Sequence, residues 1–175
     1  LIASCLLIDR STPPLLSADE HAHLIRAYTL VSPEWIMHAP PGESSSAWVD
    51  PALARFIRLH RQKNRVLSQR SSGPVPTEAD LQTSGQLQLN KAATAVTMPA
   101  PGAAVYPPLS YLPQGLALGL AQAWRWPVVI AYRFARVMAL LSGAAALFIA
   151  FRLIVPSPLQ LALLTMPMSL FQMAS

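Results

Sequence analysis

The stretch VVIAYRFARVMALLSGAAALFIAFRLI, residues 128–154, decides the fold class of this chain. Its inner part, residues 137–151, carries no charged side chain, and Arg152 ends the apolar run. A transmembrane helix needs about 20 mostly apolar residues. The stretch is long enough for this, so it predicts one full membrane span.

The composition of the whole chain agrees with a membrane protein. Of its 175 residues, 53% are hydrophobic and 12% are charged, whereas soluble domains carry about 25% charged residues. Residues 1–104 hold nine Lys/Arg and all eight Asp/Glu, and residues 105–175 hold four Arg and no acid. With a single Cys, this composition argues against a soluble globular domain, a disulfide scaffold and a disordered chain.

Apolar sequence also lies at both ends of the chain. Residues 1–16 begin with an apolar run that is too short to cross a bilayer, and we interpret it as the end of a first transmembrane helix. Residues 158–175 look like the start of another membrane helix. We therefore expect an internal piece of a longer protein: an all-α, polytopic integral membrane fragment.

Between the first and second spans lies a polar region, residues 17–104, which we expect to form a loop domain. Ser17 and Glu20 have the spacing of a capping box, with Ser17 as the N-cap, and predict a helix near 17–31. Asp50 followed by Pro51 predicts the start of a basic amphipathic helix over 51–69.

The rest of the polar region has few helix signals. We expect residues 39–50 to be loop, and residues 71–104, which are rich in Ser, Thr, Pro, Gly and Gln, to be loop or weakly ordered strand. Residues 105–124 are apolar but short and interrupted by Pro113, which favours an interfacial helix over a full span. Their tyrosines and the tryptophans that follow would form an aromatic belt at the membrane surface: Tyr106, Tyr111, Trp124 and Trp126.

Asp19, Glu20 and His23 form the most acidic point beside a membrane segment. Two adjacent carboxylates can act as a general base or hold a divalent metal. They can also do no more than stabilise a helix N-terminus, and the residues alone favour that reading. His21 and His23 point to different helix faces, so a zinc pair is not expected.

The cations allow two readings as well. The basic helix is typical of a solvated face, although it could bind anionic lipid or a diphosphate; nucleic acid is not expected beside membrane spans. Arg133 and Arg136 lie one turn apart at the start of the long span. Arg133 is placed to snorkel to the interface, whereas Arg136 is deeper and either snorkels or has a function.

Several runs together resemble a bacterial family. They are STPPLLSADEHAHLIRAYTL, VDPALARFI, VYPPLSYLPQGLALGLAQ, YRFARVMALL and LLTMPMSLFQMAS, in this order. The family is known as domain of unknown function twenty-one forty-two, and its members are predicted polytopic membrane proteins. It resembles in turn the GT-C glycosyltransferases, which place an acidic motif in a first extracytoplasmic loop.

The resemblance implies roles for particular residues. Asp19 and Glu20 hold the position of the catalytic acids, Pro107-Pro108-Leu109 that of a juxtamembrane helix, and Arg136 that of an arginine near the second span. The residues that we expect to bind substrate are His23, Arg26, Tyr106 and Arg136.

The resemblance also implies a function. It is transfer of a sugar from a polyprenyl-phosphate-type donor in cell-surface polysaccharide assembly, at a bacterial inner membrane that the chain crosses several times, with membrane lipid and the polyprenyl-linked donor as partners. The alternatives are a non-catalytic membrane component of polysaccharide assembly or export, and a lipid-surface module that uses the basic helix. The sequence leaves the donor, the acceptor and the metal open.

Overall fold

The structure is a computed structural model that describes residues 12–17, 19–32, 35–68, 72–90 and 93–153. The predictions for residues 1–11 and 158–175, the two outer membrane helices, lie outside the described residues. The described part is mainly helical and holds a short two-stranded sheet. The expectation of an all-α fold is therefore correct for the helices and wrong for the sheet.

Five α-helices are present in the described residues, and the first three belong to the polar region 17–104. They are α1 (Glu20–Thr29), α2 (Pro51–Leu67), α3 (Glu78–Gln86), α4 (Leu112–Ala123) and α5 (Val128–Leu153). Two short 3-10 helices, Ala103–Val105 and Pro108–Tyr111, precede α4. The two strands are β1 (Ser46–Val49) and β2 (Val96–Pro99).

Helix α2 begins where the sequence predicts. The Asp50 side chain accepts a hydrogen bond from the backbone N–H of Ala52 at 2.7 Å, and Pro51 occupies the first turn. The other oxygen of Asp50 accepts from the backbone N–H of Asn90 at 2.7 Å. One carboxylate therefore caps α2 and also holds the chain that leads from α3 to β2.

Strand β1 lies where the sequence predicts loop, and helix α3 where it predicts loop or weakly ordered strand, whereas β2 agrees with the expectation of a weakly ordered strand within 71–104. Strands β1 and β2 pair antiparallel, with Ser46 opposite Pro99 and Val49 opposite Val96. Helix α3 begins with a capping box, because Thr77 and Asp80 each bond the backbone N–H of the other. Its buried face packs against α2 and α5, and this packing stabilises a segment whose Ser, Thr and Gln content favours loop.

The core lies where α1, α2, β1, α4 and the first half of α5 meet. Its largest fully buried apolar side chains are Phe56, Ile25, Leu53, Ile57, Leu89, Leu118, Val49 and Val128. Helix α4 approaches the end of α1 closely, since a Cβ at Gly115 would lie 2.9 Å from Leu30 Cδ1. The Gln122 side chain also donates to the Tyr28 hydroxyl at 2.7 Å, and burial raises the pKa of Tyr28.

Helix α5 has two distinct halves. Its first turns are buried against the loop region through Val128, Ala131, Tyr132 and Ala135, whereas most side chains from Leu141 to Leu153 are exposed. At 26 residues and a mean hydropathy of 2.0, it is the helix long and apolar enough to cross a membrane within the described residues. The predicted span over 128–154 is thus a continuous helix to Leu153.

The predicted interfacial segment is not a membrane-crossing helix. Helix α4 has 12 residues, about 18 Å at 1.5 Å per residue, which is shorter than the hydrocarbon core of a bilayer. Its apolar side chains Leu112, Leu116 and Leu120 are exposed in one stripe, and Leu109 before them is 74% exposed. This stripe is compatible with an interfacial position, which stays a prediction.

Candidate functional site

A buried acid–arginine cluster of Glu20, Tyr132 and Arg136 joins α1 to the first half of α5. The Tyr132 hydroxyl donates a hydrogen bond to Glu20 Oε1 and accepts one from Arg136 Nη1 at 3.0 Å. Arg136 Nε lies 3.7 Å from the same carboxylate oxygen. The Tyr132 hydroxyl also accepts from the backbone N–H of Leu15 at 3.2 Å, which holds the start of the loop region on this cluster.

The charges in this cluster explain the orientation of Arg136. The side chains of Arg136 and Glu20 are only 10% and 6% exposed, so the buried cation of Arg136 needs a nearby anion. Glu20, in the first turn of α1, supplies this anion. Arg136 therefore faces the protein interior, as expected for a functional or structural arginine, and the snorkelling alternative is wrong for the described structure.

The two acids at the start of α1 have different environments. Asp19 is the N-cap of α1, is exposed, and makes no side-chain cap hydrogen bond, because its backbone is already near-helical. The predicted capping box of Ser17 with Glu20 is wrong. Helix α1 begins at Glu20 itself, and the Glu20 side chain is directed to Tyr132 instead of back to Ser17.

His23 lies between two tyrosines that follow the sheet. Its Nδ1 is 2.7 Å from the Tyr111 hydroxyl, and its ring lies edge-on to Tyr106 at 5.4 Å. Burial raises the pKa of Tyr111, so its hydroxyl stays protonated near neutral pH. The structure thus brings together His23 and Tyr106, both expected to bind substrate, and adds Tyr111.

Tyr111 corrects the predicted aromatic belt. The sequence places it at the membrane surface with Tyr106 and Trp124, but Tyr111 is 6% exposed, against 50% and 62% for the other two. It is buried because the 3-10 helix Pro108–Tyr111 turns its last side chain back towards α1. In the sequence YPPLSY, the spacing of five positions between Tyr106 and Tyr111 was the available indication that the two side chains have different orientations.

Arg26 lies one turn beyond His23, and no carboxylate of the described residues forms an ion pair with it. It is 6% exposed, and its Nη1 donates to Thr29 Oγ1 and to the backbone oxygen of Trp35, both at 3.2 Å. Its Nε has no hydrogen-bond partner. Arg26 lines a cavity of about 200 Å³, the Arg26 cavity, together with Leu30, Trp35, Ile36, Met37, Ala104 and Pro108.

The predicted site residues therefore divide into two groups. His23, Arg26 and Tyr106 lie towards the 3-10 helices, whereas Glu20 and Arg136 form the buried cluster with α5. Asp19 is at the exposed start of α1, next in the chain to the cluster. Sequence reasoning missed Tyr132, which lies four residues before Arg136 and so on the same helix face.

A metal site has no ready set of ligands in the part of the chain that the structure describes. No group of three or more His, Cys, Asp or Glu residues lies close enough together there to hold an ion. The prediction of a possible divalent metal near Asp19 and Glu20 is neither supported nor contradicted by this observation.

The basic helix α2 contributes to a second, larger groove. This groove of about 740 Å³ is lined by α2, α3 and the first turns of α5, and it includes His60, Lys63, Glu78 and Arg133. Lys63 lies 3.5 Å from Glu78 across it, and burial lowers the pKa of His60. Arg55, Arg58 and Arg65 are exposed, in keeping with a solvated basic face.

Comparison with known proteins gives one match. A family model described as predicted membrane protein (DUF2142) matches residues 4–175, nearly the whole chain. The chain belongs to this family. No curated protein and no solved structure matches.

Proposed function

We propose that this member of the DUF2142 family is a membrane glycosyltransferase-like protein that transfers a sugar from a polyprenyl-phosphate-type donor in cell-surface polysaccharide assembly. In this proposal it resides in a bacterial inner membrane that it crosses several times, and residues 17–104 lie outside the cytoplasm. The family and the apolar α5 support the membrane location. The chemistry rests on the resemblance to GT-C enzymes and on the site geometry.

The position of Asp19 is the observation that carries the proposal. Its neighbour Glu20 is held by Tyr132 and Arg136 in the first turns of α5. Asp19 is therefore fixed beside the membrane helix while its own carboxylate remains exposed and outside any cap hydrogen bond. A carboxylate placed in this way is available to a substrate that approaches along the membrane surface.

Asp19 would act as the general base in the transfer. It accepts the proton of the acceptor hydroxyl while the acceptor oxygen forms a bond to the anomeric carbon of the sugar. The bond between that carbon and the phosphate oxygen breaks, and the lipid phosphate departs with the electron pair. Arg26 and His23, on the same helix, supply positive charge and hydrogen bonding near the departing phosphate.

The experiment that tests the proposal replaces Asp19 and measures sugar transfer in membranes that contain the protein. Asp19→Asn should lower transfer at least about 100-fold, since a positioned general base contributes about 10²–10⁴-fold. Its melting temperature should not change, because the Asp19 side chain is exposed and makes no cap hydrogen bond. The matched control is Glu43→Gln, which removes another exposed acid of the loop region and should leave transfer unchanged.

A second candidate is a non-catalytic component of polysaccharide assembly or export. The observation that favours it is the commitment of Glu20, one of the two expected catalytic acids, to a buried ion pair that has a structural role. Wild-type transfer by Asp19→Asn would remove the enzymatic interpretation of this site, and equal transfer by membranes that lack the protein would support the non-catalytic candidate.

The proposed topology has a separate test. A cysteine at exposed Ser44, in a chain whose Cys5 is replaced by serine, should react with a membrane-impermeant maleimide added outside intact cells. Reaction only after the cytoplasmic side is opened would place the loop region inside the cell and contradict the proposal.

A further inference from the structure

The Arg26 cavity holds a buried cation that no acid of the described segments balances. Arg26 is 6% exposed, and among the described residues no carboxylate forms an ion pair with it. Two neutral oxygens, from Thr29 and Trp35, accept from one of its nitrogens, and its Nε has no hydrogen-bond partner. A buried charge that lacks a counter-charge is costly, so this site is suited to an anion from outside the described chain.

The guanidinium group indicates which anion fits. Its planar fork of N–H donors matches the oxygens of phosphate and carboxylate groups. The cavity of about 200 Å³ is many times larger than the about 10–15 Å³ that one water needs, so a phosphate group has room beside Arg26.

The rest of the lining indicates what is attached to the phosphate. Apart from Arg26, the cavity is formed by the side chains Leu30, Trp35, Ile36, Met37, Ala104 and Pro108, all apolar in character. Trp35 and Ile36 are 76% and 81% exposed, and nearby Val105 and Leu109 are 82% and 74% exposed. An apolar surface therefore extends outward from the cavity mouth, where a hydrocarbon chain would lie.

We propose that the Arg26 cavity binds the phosphate group of an amphiphile, with the guanidinium on the phosphate and the apolar chain across Trp35 and Ile36. The inference rests on the proposed function in taking an isoprenyl phosphate, the lipid part of the donor, as the amphiphile. An anionic phospholipid headgroup has the same chemistry, and the experiment separates the two sources.

The test measures binding to the purified membrane protein in detergent micelles, without any transfer reaction. The probes are farnesyl monophosphate, farnesol and phosphatidylglycerol. The signal is the change in Trp35 fluorescence on binding, which is the part of the total fluorescence change that is lost in the Trp35→Phe variant. Farnesyl monophosphate should bind, and farnesol should bind at least about tenfold more weakly, because it lacks the phosphate.

Two variants test the site from different sides. Arg26→Gln should weaken farnesyl monophosphate binding about 10- to 100-fold, the range expected for charge-assisted hydrogen bonds, and Arg26→Lys should restore part of it. Ala104→Leu fills the cavity while Arg26 stays in place, and should weaken binding similarly. The matched control is Arg55→Gln, which removes an exposed arginine of α2 and should bind as wild type.

Each outcome decides the inference. Loss of farnesyl monophosphate binding in both Arg26→Gln and Ala104→Leu supports the site. If phosphatidylglycerol at equal concentration displaces farnesyl monophosphate, the natural ligand is membrane lipid. If it does not, the natural ligand is the isoprenyl phosphate. Wild-type binding by Ala104→Leu, or by a folded Arg26→Gln, overturns it. Asp19→Asn should bind farnesyl monophosphate normally while it loses transfer. Wild-type transfer by Asp19→Asn, together with weakened binding by Arg26→Gln, would contradict the proposed function alone. Normal binding by a folded Arg26→Gln, together with lost transfer by Asp19→Asn, would contradict the binding inference alone.

Discussion

Helix α1 buries ionic groups at its start and near its end, and the two places differ in how the charge is balanced. At the start, Glu20 faces Arg136 and shares Tyr132 with it, so the chain supplies both signs of charge. Near the end, Arg26 is equally buried, and the acceptors that the described part of the chain gives it are neutral oxygens. The two places do not differ in burial. They differ in the counter-charge, which is present in the Glu20–Arg136 pair and which we propose a ligand supplies to Arg26.

The largest expected effect concerns the balanced place. Glu20→Gln removes the negative charge that faces Arg136 and should lower the free energy of unfolding by about 3–5 kcal/mol, as when one partner of a buried pair is removed. The double variant Glu20→Gln/Arg136→Met should recover most of this loss. Thermal melting in detergent measures both. If Glu20→Gln melts at the same temperature as wild type, the Glu20–Arg136 pair has no structural role, and the proposed difference between the two ends of α1 is wrong.

A smaller effect is expected where α4 supports the Arg26 cavity. A Cβ at Gly115 would lie 2.9 Å from Leu30 Cδ1 and 3.1 Å from the backbone oxygen of Ala27, and Leu30 lines the cavity. Gly115→Ala should therefore cost about 1–3 kcal/mol of stability, as overpacking does, and also weaken binding of farnesyl monophosphate.

Gly143→Ala is the matched control for this change, because nothing lies within 4 Å of a Cβ there. It should be neutral or stabilise the protein by up to about 1 kcal/mol, the helix preference for alanine. If both alanine variants behave alike, the close approach of α1 and α4 has no energetic consequence.

The smallest expected effect is at the two tyrosines that contact His23. Tyr111→Phe removes the hydrogen bond to His23 Nδ1 and should cost about 1 kcal/mol, the net value of one such bond. The comparison variant is Tyr106→Phe. The Tyr106 ring contacts His23, but Tyr106 is half exposed, so this variant should melt at the same temperature as wild type. The reverse order of the two variants would show that Tyr106 is the residue that positions His23.

The sequence predicted the elements whose signals are local. The apolar run of α5 and the Asp50-Pro51 start of α2 depend on neighbouring residues alone, and both are present in the structure. Strands β1 and β2 have four residues each and pair across about fifty positions, as Ser46 does with Pro99. Their pairing is a non-local contact, and the hydrophobic periodicity within a short stretch of sequence carries no information about it.

The candidate site shows the same limit. The sequence identified the two acids of α1, but their roles depend on Tyr132, which lies 112 residues further along the chain. Capping rules assigned Glu20 to Ser17, and the tertiary contact with Tyr132 and Arg136 prevailed. Likewise, the cavity beside Arg26 is lined by Trp35, Ala104 and Pro108, which come from separate segments of the chain. The sequence around Arg26 could therefore not predict this cavity.

The contact between Glu20 and Tyr132 also has a consequence for biosynthesis. At about 5–20 residues per second, a ribosome takes roughly 6–22 s to add the 112 residues that separate the two partners. During that interval α1, α2 and the sheet can form, while Glu20 and the backbone of Leu15 lack the hydroxyl that joins them in the finished protein. The loop region thus completes its assembly only when the first turns of the membrane helix are made, which couples its final folding step to synthesis of that helix.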